Sequence, residues 1–238
     1  MTVDLKDRTA LITGASGNLG RSVVRSFFDA GALLALVDRS EEKLGVAFDD
    51  IPSERRLLLG GVDMTNDDSV ARMVDAVIDH FGRIDILINT VGGFRAGADV
   101  DQAELETWDG MLDLNAKTAF LACRHVVPHM RTQRYGKIVN IGARTALVGS
   151  PGAAAYSASK AAVLRLTESL SAEVKAIGIN VNCVIPGTID TPPNRKAMPD
   201  ADVSRWVKPA ALADAILFLA SDRAQAIHGV ALPVYNLT

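Results

Sequence analysis

Tyr156 and Lys160 lie four residues apart in Tyr156-Ser-Ala-Ser-Lys160, so on a helix they share one face. An isolated tyrosine has a pKa of about 10 and exchanges protons sluggishly near neutrality. A fixed ammonium one turn away favours the phenolate and is expected to lower that pKa. Such a pair can trade a proton with a substrate oxygen. The same spacing equally suits a packing tyrosine beside a surface lysine, so the pair takes its meaning from its company.

That company begins with Thr13-Gly-Ala-Ser-Gly-Asn-Leu-Gly20, which follows an apolar run and opens a helical pattern. Gly14, Ser16, Gly17, Asn18, Leu19 and Gly20 read as a phosphate-binding turn. Glycines allow a tight bend and close backbone approach to a pyrophosphate, which the free N–H groups at a helix start then face. A glycine-rich connection with no ligand would look the same in isolation. Arg21-Ser22 stands where a P-loop needs Lys before Ser or Thr, which excludes that motif.

The next apolar run ends at Val37-Asp38-Arg39, with Asp38 about where an acidic residue receives the adenosine ribose hydroxyls. A carboxylate there repels the 2′-phosphate of NADP. At about 4 Å and an effective dielectric of about 20, one unit-charge repulsion is on the order of 4 kcal/mol before screening. NAD(H) is therefore the preferred cofactor. NADP(H) stays open through Arg39, whose guanidinium can turn to a phosphate, and Asp38 as a plain helix cap is the bland alternative.

The elements that must position these groups are legible as alternation. Short apolar runs at 9–13, 33–37, 57–62, 84–89, 137–141, 180–185 and 230–234 are uninterrupted, as strands buried on both faces are. Between them lie helical stripes, one of Val70, Val74, Val77 and Ile78, another of Ala162, Leu166, Leu170 and Val174. The pattern predicts an α/β fold: a Rossmann-type, doubly wound parallel sheet of about seven strands with helices on both faces. No linker divides the chain, so residues 1–238 are expected to form a single dinucleotide-binding and catalytic domain. The Pro-rich stretch at about 188–207 is expected to be its substrate loop.

The chain of 238 residues is 48% apolar, enough for one substantial core, and its net charge of −3 offers no bulk attraction to nucleic acid or an anionic membrane. The longest apolar run falls short of the roughly 18 residues of a membrane span. The mixed charges of the N-terminus do not resemble a secretory signal, so a cytoplasmic location is expected. Cys123 and Cys183 are too few and too far apart for a disulfide framework and are expected to be reduced and buried. His125 and His129 lack a third ligand at matching spacing, so no metal site is assigned.

Along almost its whole length the chain resembles the short-chain dehydrogenase/reductase family. The matching features are the glycine-rich turn, Asp38, Asp63, Asn89-Thr-Val-Gly92, Asn115, the Tyr156/Lys160 pair and Pro186-Gly-Thr-Ile-Asp-Thr191. The resemblance implies hydride transfer between a nicotinamide and a small carbonyl, alcohol or electron-poor ring, with Tyr156 as acid–base. Lys160 would lower the tyrosine pKa and hold the nicotinamide ribose, and Asn115 would support a proton relay through water. Asp63 would meet the adenine, and Asn89 and Gly92 would shape the cofactor cleft. Pro186, Ile189 and Thr191 would lie at the carboxamide end. Family members commonly form homodimers or homotetramers, and the same is expected here.

Three departures from the family pattern stand out. Asn18 replaces the usual middle glycine of the turn and is expected to tolerate a left-handed backbone in its place. Asn-Asn-Ala-Gly becomes Asn89-Thr-Val-Gly92. The catalytic serine thirteen residues before the tyrosine becomes Ala143, removing a hydroxyl worth about 10²–10³ in rate where a reaction depends on it. Thr145 and Ser150 are the candidate replacements. The dihydropteridine reductase subfamily also carries alanine there, and Gly92-Gly-Phe94 and the loop ending at Trp206 are similar to its substrate segments. Reduction of a quinonoid ring is thus an alternative, with Phe94, Ala143, Thr145 and Trp206 on the substrate side. A weakly catalytic NAD(H)-binding module is the other alternative.

Overall fold

A computed structural model describes residues 3–238. Seven strands form one sheet: β1 (Thr9–Thr13), β2 (Leu33–Val37), β3 (Arg56–Leu59), β4 (Ile86–Asn89), β5 (Gly136–Ile141), β6 (Ile179–Pro186) and β7 (Ala231–Val234). Their order is β3-β2-β1-β4-β5-β6-β7, and every pairing is parallel. The expected seven-strand doubly wound sheet is the observed one. β3 stops short of its expected end because Gly60 and Gly61 turn the chain away, the latter at φ +72°.

The connecting helices are α1 (Asn18–Asp29), α2 (Glu41–Ala47), α3 (Asp67–Phe81), α4 (Leu105–Met111), α5 (Thr118–Gln133), α6 (Ala154–Val174), α7 (Pro192–Ala197) and α8 (Pro209–Leu219). Strand alternation divides the core. Ala10, Ile12, Leu34, Leu36, Ile86 and Ile88 face Val23, Val24 and Phe27 of α1 and Leu212 and Ile216 of α8. Leu11, Ala35, Val37 and Leu87 face α3, α5 and α6 on the other side. Both faces of each central strand are thus apolar, which is why those runs do not alternate in sequence.

Two expectations need correction. The buried face of α6 runs through Val163, Leu164, Thr167, Leu170, Ser171 and Val174, whereas Ala162 and Leu166 are only half-buried. Thr167 belongs to that face because its hydroxyl donates to Val163 O and accepts from Asn140 Nδ2, at 2.9 Å each. A stripe read from apolar spacing alone misses satisfied polar members. The stretch at 188–207 is also more ordered than a plain loop. Thr191 caps α7, accepting from the Asn194 N–H, and Pro192 and Pro193 fill the helix's first positions, where no amide donor is needed. Among the described residues no helix is long and apolar enough to cross a membrane.

Candidate active site

The sheet order reverses between β1 and β4, and a cleft of about 440 Å³ opens there at the strand ends. Its wall comes from four successive connections: Gly14, Ser16, Gly17 and Asn18 after β1, Asp38 and Arg39 after β2, Val62 and Met64 after β3, and Thr90, Val91 and Gly92 after β4. Such a switch point is where open α/β sheets bind ligands. Gly14 has φ +64°, and a Cβ on Gly20 would lie 2.2 Å from Gly14 O. The turn is therefore drawn so tight that helix and strand touch. Gly17 precedes α1 with no side-chain cap, which leaves the helix's first N–H groups facing the cleft.

Asn18 is the first residue of α1 and has ordinary helical backbone, so the expectation of a left-handed Asn18 is wrong. Gly14 supplies the positive φ instead. Leu19 packs against the core rather than the cleft. Asp38 Oδ2 accepts from the Ser16 hydroxyl at 2.7 Å and the Ser16 N–H at 3.2 Å, which ties the ends of β1 and β2 together. Asp63 is exposed, and hydrogen bonds from Thr65 hold its carboxyl below the usual range. It does not line the cleft; its neighbours Val62 and Met64 do.

Asn89 also departs from expectation. Its amide turns beneath the sheet ends and donates to Asn140 Oδ1 at 2.8 Å, forming a buried polar chain with Thr167. The cleft wall passes instead to Thr90, whose hydroxyl donates to Thr13 O at 2.6 Å, and to Gly92. Thr90, Lys43 and Leu114 complete that wall without having been anticipated.

The chemistry sits beside this cleft. Between α4 and α5 the helix widens into a π-helical turn, Leu112–Lys117, that carries Asn115; such turns recur at functional sites. Asn115 is buried, accepts from the Gly93 N–H at 3.0 Å, and donates to Gly93 O at 3.1 Å and Ser159 Oγ at 3.0 Å. A Cβ on Gly92 would lie 2.8 Å from Asn115 Oδ1 and 3.1 Å from Lys160 Nζ. Glycine is thus required where the β4 loop, the π turn and α6 converge.

Lys160 is buried and donates to Ile141 O at 2.9 Å, and burial pulls its pKa down to about 8. Burial pushes Tyr156 up to about 12. The expected lowering of the tyrosine by lysine alone does not occur, because both groups are desolvated and the amine is turned to a backbone carbonyl. Cys123 and Cys183 are free and buried, as expected, and burial raises both thiols to about 12.

A second hollow, about 380 Å³, opens in front of Tyr156. Phe94, Ala143, Thr145, Pro186 and Ile189 line it, joined by Arg144, Asn194 and Met198, which the sequence had not singled out. The Phe94 ring meets Tyr156 edge-on with centroids 4.8 Å apart. The Thr145 hydroxyl is buried and has no hydrogen-bond partner. Ser150 is exposed and lies outside this hollow. Trp206 is 5% exposed and does not line it either; its carbonyl accepts from Asn236 Nδ2, which fixes it beneath the C-terminal segment. Thr191 is buried as the α7 cap rather than part of the wall.

A glycine turn at a helix start, a cleft at the sheet's switch point and a tyrosine–lysine pair beside it define a dinucleotide-dependent oxidoreductase. The family described as short chain dehydrogenase matches residues 8–202, and the chain belongs to that family. It is an NAD(P)(H)-dependent oxidoreductase of small substrates. The 3-oxoacyl-[acyl-carrier-protein] reductase of Thermotoga maritima is 35% identical, over 94% of this chain and 95% of its own. A (2S)-[(R)-hydroxy(phenyl)methyl]succinyl-CoA dehydrogenase subunit of Thauera aromatica is 36% identical, over 97% and 96%. The crystal structure of gox2181 superposes with a TM-score of 0.92 at 30% identity, covering 98% of this chain and 96% of that one.

Proposed function

We propose that the chain interconverts a small carbonyl compound and its alcohol, with Tyr156 as the proton donor and acceptor and NAD(H) as the preferred cofactor. The observation that carries this reading is the convergence of Tyr156, Lys160 and Asn115 at the end of the dinucleotide cleft, with Gly92 closed in between Asn115 and Lys160. The glycine cradle of Gly14, Gly17 and Gly20 suits a pyrophosphate, Asp38 the ribose hydroxyls, and Pro186 and Ile189 the carboxamide end. When bound, the dinucleotide supplies or accepts the hydride.

The chain's own part is the proton. In reduction the Tyr156 hydroxyl donates to the substrate oxygen, and in oxidation the phenolate takes that proton back. A tyrosine held near 12 needs positive charge nearby to give its proton up, and Lys160, with a pKa near 8, is largely an ammonium at neutral pH. Asn115 acts as a positioning residue, since its amide clamps the Gly93 backbone to α6 through Ser159. Thr145 takes the place of the serine missing at 143. A buried hydroxyl without a partner costs free energy unless something else satisfies it, and a substrate oxygen in this hollow would.

The names of both relatives describe carbonyl or hydroxyl chemistry, which favours this reading over reduction of a quinonoid ring. Ala143 and the edge-on Phe94 keep the ring reading in play. Turnover of NADH over a carbonyl and quinonoid panel, wild type against Tyr156→Phe, tests both. Equal rates for the two proteins would remove Tyr156 from its role, and turnover confined to quinonoid compounds would favour the ring.

The proposal includes a single unit, since the sheet draws strands from Thr9 through Val234, with the stretch at 188–207 over the substrate. It also includes a cytoplasmic setting, supported by two buried free thiols. Homodimers would pair through α5 and α6, where Phe120, Val127 and Leu166 line a shallow groove carrying Arg124 and Glu173. Across a two-fold axis the same groove meets itself, so a self-complementary patch of this kind suits a homodimer. Light scattering on Phe120→Glu, expected to be monomeric, checks this.

A further inference from the structure

Beyond the hollow in front of Tyr156 lies another of about 450 Å³, bounded by Leu147, Val148, Ser150 and Tyr235. The two share Arg144 and Thr145. Arg144 is the one charged side chain among the described residues that line either hollow. Among the described residues no carboxylate pairs with it. Its guanidinium lies over the Tyr235 ring, 5.2 Å from the centroid.

Tyr235 is itself held in place. Asn236, in left-handed backbone at φ +55°, donates to Arg205 O and Trp206 O at 3.1 and 3.0 Å. Arg205 returns two hydrogen bonds to Leu237 O at 3.1 and 2.8 Å. At its other end, the Gly187 N–H donates to Val234 O at 3.0 Å. The C-terminal segment is thereby laced to the substrate stretch, and its tyrosine gives the arginine a platform. On the other side, Arg144 directly follows Ala143 and opens a tight turn whose N–H groups at Leu147 and Val148 donate to its carbonyl.

We propose that Arg144 is a specificity residue for a carboxylate on the substrate, so that the preferred substrate is an oxo acid and its hydroxy-acid partner. A guanidinium offers parallel N–H donors that match a carboxylate in a bidentate pair. Placed at the wall of a concave site whose lining is otherwise uncharged, it focuses attraction on an anion. The carboxylate would lie between Arg144 and the Ser150 side, while the carbonyl to be reduced lies between Tyr156 and Thr145. This inference rests on the proposed reaction site in front of Tyr156 and adds the charge of what enters it.

The test pairs oxo-carboxylic acids, with 2- to 5-carbon spacing between carbonyl and carboxylate, against their primary amides, which keep the shape and remove the charge. For wild type saturated with NADH, at least one acid is expected to exceed its amide on the order of tenfold in kcat/KM and in affinity by calorimetry, the range of one charge-assisted hydrogen bond. Arg144→Gln should bring that ratio to about one, and Arg144→Lys should keep part of it. Acids and amides equal in wild type, or a preference that survives Arg144→Gln, would overturn the inference. So would an Arg144→Gln variant that changes only NADH affinity. Amides and acids turned over equally would leave the oxidoreductase reading intact. Selective acid binding through Arg144 with no turnover would instead remove the proposed reaction and keep the anion site.

Discussion

The dinucleotide cleft and the proposed substrate hollow sit side by side at the strand ends, yet they are built from different materials. The first is largely backbone: Gly14, Gly17 and Gly20 let main chain approach main chain, Gly92 makes room for the Asn115 and Lys160 side chains, and its wall comes from four consecutive strand ends. The second is side chains drawn from Phe94, from the turn at 143–145, from Tyr156 and from the 186–198 stretch. A backbone-built site has little freedom to change, because an added Cβ meets a fixed carbonyl. A side-chain-built site can be re-lined one residue at a time, as the replacement of a serine by Ala143 beside an unpartnered Thr145 hydroxyl illustrates.

The sharpest way to break this contrast is to compare one change in each region. Tyr156→Phe is expected to lower kcat by about 10²–10⁴ while NADH affinity, read by fluorescence titration, is retained. Gly20→Val should do the reverse in kind, removing cofactor binding and lowering Tm, since even a Cβ there would overlap Gly14 O. If Gly20→Val binds NADH normally, the backbone account of the cleft fails.

Next in size is Thr145→Val, expected to reduce kcat by roughly 10²-fold with Tm unchanged, because the hydroxyl it removes has no native partner to lose. Ala143→Ser in the Thr145→Val background should recover part of that rate. A Tm that falls with no change in kcat would make Thr145 a packing residue. Asp38→Ser should then shift the NADH-to-NADPH ratio of kcat/KM towards NADPH by about tenfold or more, the repulsion being partly screened at a half-buried site. An unchanged ratio would assign cofactor choice to Arg39 or Lys43 instead.

A smaller effect concerns stability. Lys160 titrates near 8 when folded and at its ordinary 10.5 when unfolded, so above pH 8 the unfolded chain binds more protons and stability rises with pH. Below pH 8 both states are protonated and Lys160 contributes no slope. The buried thiols Cys123 and Cys183, raised to about 12, act in the opposite direction from about pH 9 upward. Denaturant titrations between pH 8 and 9 should therefore show a rise in wild type that Lys160→Met flattens. Smallest of all, Trp206→Phe should change kcat/KM by less than about twofold, since the indole is buried away from the hollow. A large loss would return it to the substrate side.

The sheet was legible because its signals are local and redundant. β1 and β2 coincide with their apolar runs, and the start of α1 follows from the glycine turn before it. Gly14 and Gly20 were likewise legible, since a glycine is needed where backbone crosses backbone. Asn89 shows the limit: its position at the end of β4 was right, but the direction of its amide depends on Asn140, fifty-one residues later. Trp206 shows the same limit, because its carbonyl is held by Asn236, thirty residues later, and its indole is buried outside the hollow.

What the sequence alone determined was the class of chemistry: alternating runs, a glycine turn, an acidic residue after β2 and a tyrosine four residues before a lysine. These are short-range patterns, and short-range geometry turns them directly into structure. Only the tertiary structure decided which hydroxyl is left without a partner in the lining before Tyr156, which arginine stands unpaired at the wall, and that burial moves the tyrosine and the lysine apart in pKa. Those outcomes depend on contacts between segments distant in the chain and on the exclusion of water between them, and neither is written in the spacing of residues.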